Sequence, residues 1–414
     1  MNYDELYIQQ LVRHYCTARE LQYSVVYGHY LNLEQINEYY QHVDNLEDGY
    51  LDSLIRLNLK TFNSKGIFFS RCNELSQSLI NFLDLLRDDL KENNPPLAIK
   101  NMSEINRSRI YSEVEGSLNI EQVPTTRRRF DELVVKDAKP QNKNDRIIKN
   151  MANAIEFVLK KPDFNKENLY KLYNILSEQS LDYDHKLKDG DYYRYDDVYV
   201  DDYKGCPVNQ LEECMKSLFA FVNSNLKVEG FLKFYLPHIV HYYILYIHPY
   251  FDFNGRTARM VSLWIYLLTN NYPYPPFISD AINQTKDQYY ASLIESRDSH
   301  NDLTYFLLYI LDISISYYLA YKNVDYIASS LKNKGIILTN TEKDYIKRIL
   351  VSEKGPFSYT DFTNWNHIQI TKQGAFKILN RFVTYGILKE VESLNNKKLF
   401  ILNKDSLLYL KTSS

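Results

Sequence analysis

The sequence has no cysteine pair at framework or metal-binding spacing: Cys16, Cys72, Cys206 and Cys214 are scattered through 414 residues, with no C-x-x-C. They read as reduced thiols, pointing to neither a disulfide framework nor a zinc site. Charge of one sign is also missing, since 49 basic minus 52 acidic residues leaves −3. The whole chain is therefore no polyanion binder, although a local basic face is compatible with that balance. The first residues, Met-Asn-Tyr-Asp-Glu, have no basic n-region and no apolar h-region, so no export signal is expected. The longest apolar stretch, Leu303 to Ala320, is interrupted by Asp312, Ser314 and Ser316, which predicts a buried core helix and no membrane span. A cytoplasmic location is the expectation. Repeats and long low-complexity segments are absent. Tryptophan is scarce, 2 against 38 Tyr, so the cores are built on amphipathic rings whose hydroxyls need partners.

Length and composition suit two or three globular domains. Residues 1 to about 92 show helical spacing, as in Leu51-x-x-Leu54-Ile55-x-Leu57 and Leu75-x-x-x-Leu79-Ile80-x-x-Leu83. Glu92-Asn-Asn-Pro-Pro96 breaks it. A shorter helix is expected from Ser103 to about Glu115, with Gly116 as its C-cap. A polar loop, 136–145, precedes a helix over 146–160. Tyr192 to Asp202 reads as a short hairpin around Val198-Tyr199-Val200. Helices follow at 209–223, 231–247, from Arg256, at 286–296 and at 303–321. From Ile336 the order changes to a helix at 341–352, short helices, and strands at 387–391 and 398–402 turning at Asn395-Asn396. That order resembles a winged helix.

The segment His248-Pro-Tyr-Phe-Asp-Phe-Asn-Gly-Arg256 reads as a loop feeding a helix. A helix N-terminus offers free N–H groups and a positive dipole end, which suit phosphate. Arg256 and Arg259 are three apart and lean over the same anion. Asp252 supplies an oxygen ligand for Mg2+, and a neutral His248 takes a proton from an attacking hydroxyl. Taken singly, each residue has a bland reading as cap, turn or surface charge. Together at this spacing they make a phosphoryl or nucleotidyl transfer site.

These residues resemble the Fic family signature, H-P-F-x-D/E-G-N-G-R-x-x-R, with Tyr250 in place of Phe and Phe253 in place of a small residue, usually Gly. The resemblance implies a mainly α Fic-type helical core with a β-hairpin flap. It implies a nucleotidyltransferase, a protein adenylyltransferase that moves AMP from ATP to a Tyr, Thr or Ser hydroxyl with Mg2+. His248 is then the general base, Asp252 the Mg2+ ligand, and Asn254, Gly255 and Arg256 the phosphate cradle, with Arg259 on the γ-phosphate. A bulky Phe253 at positive φ would be strained. Arg194-x-x-x-Val198-x-Val200 resembles the flap, so Val198, Tyr199 and Val200 align a target segment. Tyr289-Tyr290 resembles a pair near adenine, with aromatic core filling as the alternative. His241, with His238, reads as a packed histidine and no metal pair.

Tyr111-Ser-Glu-Val-Glu115-Gly116 resembles the family's inhibitory motif, S/T-x-x-x-E-G/N, with Tyr111 in place of Ser or Thr. By that resemblance Glu115 pairs with Arg259 and autoinhibits. Residues 336 to 414 carry 12 basic and 7 acidic residues, a net of +5, and Lys372, Lys377 and Arg381 lie on a helix over 371–385. That helix either enters DNA or packs its Phe376, Ile378, Leu379 and Phe382 face. The expected domains are a helical region 1–95, an inhibitory segment 96–145, a Fic core 146–325 and a winged-helix (α+β) domain 336–414. The competing functions are a weakly active Fic core in a DNA-binding or nucleotide-sensing regulator, and removal of AMP at the same site. Oligomeric state is left open.

Overall fold

The structure, a computed structural model, describes residues 2–28, 30–63, 65–86, 99, 104–200, 202–227, 230–269, 278–352, 355–365, 370–391 and 398–404. The expected break at 92–96 and the turn at Asn395-Asn396 lie outside these residues. The chain is mainly helical, with short strands in two-stranded antiparallel pairs. Among the described residues no helix is long and apolar enough to cross a membrane. Two compact units divide the chain, Met1–Asp312 and Ile313–Ser414.

The first unit opens with α1 (Tyr3–Val12), α2 (Ala18–Tyr23) and α3 (Leu33–Asn45). The helical reading of Leu51 to Leu57 fails there. Leu54–Leu57 is strand β1, paired with β2 (Ile67–Ser70), because the Ile-Phe-Phe run gives it an aromatic partner strand. Next come α4 (Asn73–Leu86), α5 (Glu104–Ile120), the short α6 (Arg127–Phe130), α7 (Lys143–Leu159) and α8 (Lys166–Ser177). Asn142 caps α7 through the Asp145 N–H, and Asn165 caps α8 through the Asn168 N–H. The flap is smaller than expected: β3 (Tyr199–Val200) pairs with β4 (Tyr203–Lys204). Then follow α9 (Val208–Asn225), α10 (Leu232–Ile247), α11 (Asn254–Thr269), α12 (Ser279–Gln284), α13 (Lys286–Asp298) and the start of α14 (Thr304–Asn333), whose residues from Ile313 on belong to the second unit.

Two helix ends differ from expectation. Gly116 does not cap α5, which continues to Ile120. A Cβ on Gly116 would stand 2.4 Å from the Asp280 backbone N and 2.6 Å from the Ser279 carbonyl carbon. The glycine is therefore an approach point between α5 and α12, a packing role that outweighs its poor helix propensity. At the other end α14 runs unbroken to Asn333, across the boundary expected at 325.

Tyrosine hydroxyls do find partners in the N-terminal core. Tyr15 Oη donates to Asp302 at 2.8 Å and lies 2.9 Å from Ser70 Oγ, and Tyr7 Oη lies 2.9 Å from the same Ser70 hydroxyl.

In the second unit α15 (Asn340–Ser352), α16 (Tyr359–Asn364), α17 (Lys372–Thr384), β5 (Leu388–Val391) and β6 (Leu399–Leu402) surround Ile346, Phe357, Phe362, Leu379, Phe382 and Phe400. Phe357 bridges to Phe400, adding a third short extended segment to the β5–β6 pair. On α17, Leu379 and Phe382 are buried and Ile378 is half-buried. Arg381 donates to Glu342 at 2.8 Å, and Lys372 lies 5.0 Å from the Tyr359 ring centre.

Candidate active site

Helix α10 is buried almost all round and delivers the loop to the core. It ends at His248, which turns left-handed at φ 54° while its N–H still closes the last turn on Ile244. Pro249 cannot continue the helix. The loop is then clasped from both sides. Asn254 Oδ1 accepts from the Tyr250 N–H at 3.0 Å, and Asn254 Nδ2 donates to the Tyr250 carbonyl at 2.8 Å. The Tyr250 ring stacks on Tyr173 of α8, 3.7 Å between centres. Tyr250 for Phe thus fits a flat aromatic slot.

Phe253 does adopt the strained conformation, φ 68°. Two features hold it there. Its N–H donates to Asp252 Oδ1 at 2.6 Å, and its ring is buried with the Arg256 guanidinium 3.5 Å from its centre. Where a glycine would leave space, this chain has a platform that fixes Arg256. Arg256 also reaches Asp252 Oδ1 at 3.5 Å, while its Nε and Nη1 are buried without a protein partner. Those donors suit an anion. Gly255, at the start of α11, leaves a cradle that a Cβ would fill: it would lie 2.6 Å from Glu121 Oε1 and 3.2 Å from Arg259 Nη1.

Arg259 is fully buried. Its partner is not Glu115. Arg259 Nη2 donates to Glu121 Oε1 at 2.8 Å and to the Ser117 carbonyl at 3.2 Å, and Nε donates to Ser117 Oγ at 3.0 Å. Glu115 lies on another part of α5 and accepts from Tyr111 Oη at 2.7 Å. Burial works to raise the Glu121 carboxyl, but the Arg259 and Arg256 guanidiniums overcome it and hold the group below its ordinary value. Sequence reasoning missed Glu121, although Ser117-x-x-x-Glu121 carries the S/T-x-x-x-E spacing.

Burial pushes His248 down to about 4, against a weaker upward pull from a hydrogen bond with the Leu245 backbone, so it is neutral at pH 7. Arg194 locks its main chain. Buried in the unit, Arg194 donates to the His248 carbonyl at 2.8 Å, to the Asp196 carbonyl at 2.6 Å and to the Cys206 carbonyl. Its own N–H donates to the Pro249 carbonyl at 3.0 Å. One guanidinium therefore ties the flap base to the signature loop. The flap residues Tyr199 and Val200 are exposed, and Gly205 returns to the Val198 carbonyl at 3.1 Å.

His248, Gly255, Arg259 and Glu121 share the lining of a cleft of about 410 Å³ with Val200, Tyr203, Tyr246, Tyr289, Tyr290 and Arg297, among others. Guanidinium groups and a helix start beside several aromatic rings suit a nucleotide. Both Tyr289 and Tyr290 line the cleft; Tyr290 is half-open, and Tyr289 is buried with its hydroxyl 2.8 Å from His241 Nε2. His241 is thus a packed, hydrogen-bonded histidine, and burial lowers it and His238 alike. Asp252 keeps Oδ2 turned to His185, whose Nδ1 is 3.8 Å away. The carboxylate sits beside the cradle with an oxygen suited to Mg2+.

Glu113, one turn before Ser117 on α5, is a second buried carboxyl. It accepts from the Ser279 N–H at 2.9 Å and from the Ser279 hydroxyl. Burial raises it to about 7, opposed by the Ser279 hydrogen bonds and by Arg259, with Asp280 adding to the rise. Its folded value exceeds the unfolded one, so its stabilising contribution is complete below about pH 4.5 and is lost as pH rises through about 7. Glu113→Gln should therefore melt higher than wild type at pH 8, by on the order of 3 kcal/mol, with the gap closing toward pH 5. Urea melts at the two pH values check this.

Residues 163–266, from the start of α8 to most of α11, match the family model described as Fic/DOC family. No curated protein matches the chain. Among solved structures, a Fic family protein from Desulfovibrio desulfuricans G20 aligns at 17% identity and TM-score 0.46, over 81% of this chain and 97% of that one. Fic-1 from C. elegans aligns at 18% identity and TM-score 0.46, over 63% and 73% of the two chains. A Fic domain containing signaling protein from Bacteroides thetaiotaomicron VPI-5482 aligns at 17% identity and TM-score 0.40, over 59% and 96%. With the signature loop, the clasped helix start and the family match all falling on the same segment, this chain carries a Fic/DOC family domain at residues 163–266.

Proposed function

We propose that the domain transfers AMP from ATP to a protein Tyr, Thr or Ser hydroxyl, and that Glu121 holds the resting chain in an inhibited state. The supporting observation is the meeting, in the lining of one cleft, of a neutral His248 with Gly255 at the α11 N-terminus and Arg259.

In this reading Asn254 shapes the loop, Gly255 admits the phosphate chain to the helix N-terminus, and Arg256 and Arg259 neutralise it. Asp252 would hold Mg2+, which supplies charge neutralisation on the phosphates when bound. The exposed flap edge at Val198, Tyr199 and Val200 aligns an extended target segment by strand addition. His248 takes the proton from the target hydroxyl as its oxygen bonds the α-phosphorus, the α–β bridging bond breaks, and pyrophosphate leaves. Tyr290 and the aromatic rings of the cleft hold the base.

Glu121 lies against Gly255 and on Arg259, where the outer phosphates would sit. That carboxylate competes directly with nucleotide for the same guanidinium. Ser117-x-x-x-Glu121 takes over the inhibitory role that the sequence reading gave to Glu115.

No DNA role is proposed for the second unit, because Arg381 of the basic helix is already paired with Glu342. The experiment is label partition. The Glu121→Gly protein, incubated with cell extract, should label proteins from ATP carrying 32P at the α position and not at the γ position. Labelling from the γ position would replace this reading with kinase chemistry.

A further inference from the structure

The sequence around Cys16 offers chemistry that the Fic/DOC domain does not use. We propose that His14, Cys16 and Glu20 form a binding site for Zn2+, with Glu74 orienting His14. His14 and Cys16 lie on the loop between α1 and α2, and Glu20 is in the first turn of α2. One donor atom from each of the three lies within 4.8 Å of the others. His14 Nε2 is 3.6 Å from Glu20 Oε1, beyond a good hydrogen bond but close to the separation of two ligands on one ion.

The second observation is how the ligands are held. The other ring nitrogen of His14, Nδ1, is 3.0 Å from Glu74 Oε1, and Glu74 is itself pinned, its Oε2 accepting the Tyr15 N–H at 2.8 Å. A carboxylate on the far nitrogen is the usual partner of a metal-binding histidine, since it fixes the tautomer and turns the free lone pair to the metal. Glu20 is divided in the same way. Its Oε2 accepts the Thr17 N–H at 2.8 Å in a capping box, which leaves Oε1 facing His14. Cys16 is fixed through its N–H, which donates to Gln10 Oε1 at 2.9 Å, while its buried sulfur has only the long contacts of a weak donor, 3.5 Å to the His14 carbonyl and 4.0 Å to Tyr27 Oη.

One nitrogen, one sulfur and one carboxylate oxygen form a borderline donor set, which favours Zn2+ over Mg2+ or Ca2+ and leaves a fourth tetrahedral position for water. Binding replaces the Cys16 S–H bond with an S–Zn bond and releases that proton to solvent, so no oxidant or reductant takes part. The spacing His14-x-Cys16-x-x-x-Glu20 has no cysteine pair, which is why a search for C-x-x-C passes it by. The metal-free alternative is a protonated His14 bridging Glu20 and Glu74 above an inert buried thiol.

The full chain, stripped with chelator and dialysed against Zn2+, should take up one equivalent, and Co2+ in its place should give a near-ultraviolet thiolate-to-cobalt band. Cys16→Ser should remove the band, and Glu74→Gln should weaken binding by about 10–100-fold. Cys72→Ser is the control and should change neither. His14 is exposed, so His14→Ala tests the site even where Cys16→Ser fails to fold. Absence of stoichiometric Zn2+, a cobalt complex without the thiolate band, or unchanged affinity in His14→Ala would each overturn the proposal. None of these results depends on nucleotide chemistry.

Discussion

Glu121→Gly should raise AMP transfer to protein by about 10–100-fold over wild type. The estimate follows from what the carboxylate does. It makes a charged hydrogen bond to Arg259 in a buried setting, worth about 1.5–3 kcal/mol, and nucleotide must displace it. Each 1.36 kcal/mol is tenfold in rate. The same change has an opposite effect on the resting protein. Arg259 is about 1% exposed and would lose its carboxylate, so the apo variant should melt lower, by up to about 3–5 kcal/mol. ATP–Mg2+ should recover that loss by mass action and shift the variant more than wild type. Initial rates with α-labelled ATP and thermal melts with and without nucleotide check both halves. Glu115→Gly, removing a carboxylate that faces Tyr111, should leave transfer near the wild-type level.

Gly116→Ala is the second large effect, and its sign separates packing from propensity. In an exposed helix the change would stabilise by about 0.8–1.0 kcal/mol, since Ala is the best helix former. Here the new Cβ would meet Asp280 N at 2.4 Å and Asp280 Cα at 2.5 Å, main-chain atoms that cannot rotate away. Overpacking of this kind costs about 1–3 kcal/mol. The helix must lift from α12, and the Glu113–Ser279 hydrogen bonds lengthen with it. Ser117 on the same helix and Glu121 in the turn just after it follow, so the Arg259 contacts loosen as well. The variant should melt lower than wild type and transfer AMP faster. A higher melting temperature would mean that α5 and α12 do not approach this closely.

The signature loop was legible because its pattern is local. His248, Asp252, Asn254, Gly255, Arg256 and Arg259 fall within one loop and the first turns of α11, and the structure brings His248, Gly255 and Arg259 to the lining of one cleft. Phe253 was legible too, as a bulky residue where positive φ is needed. Its compensation was not, because the cation–π contact with Arg256 depends on two rotamers that spacing does not reveal.

The carboxylate partner of Arg259 was misplaced for a physical reason. Glu115-Gly116 copies the end of the motif, and glycine after an acidic residue reads as a helix cap. Gly116 instead serves a distant contact with residues 279 and 280. The helix consequently runs on to Ile120, and Glu121 follows in the turn where Gln122 is left-handed at φ 59°. Strand β1 was misread because Leu54-Ile-Arg-Leu57 carries apolar residues at spacings that either a helix or a strand accepts. Only pairing with β2, ten residues and more away, decides it. Arg194 was visible in the flap motif, but its role needs three carbonyls that converge only in the fold.

The most direct test of the central claim compares Glu121→Gly with the double variant Glu121→Gly/His248→Ala on α-labelled ATP. His248 is assigned to proton removal and not to holding phosphate. Both proteins should therefore bind ATP–Mg2+ with similar affinity by calorimetry, while the double variant labels protein about 10²–10⁴-fold more slowly, the span expected for a lost general base. Equal labelling by the two proteins would contradict the assignment of His248. A single variant that binds ATP yet labels no protein in extract would contradict AMP transfer itself.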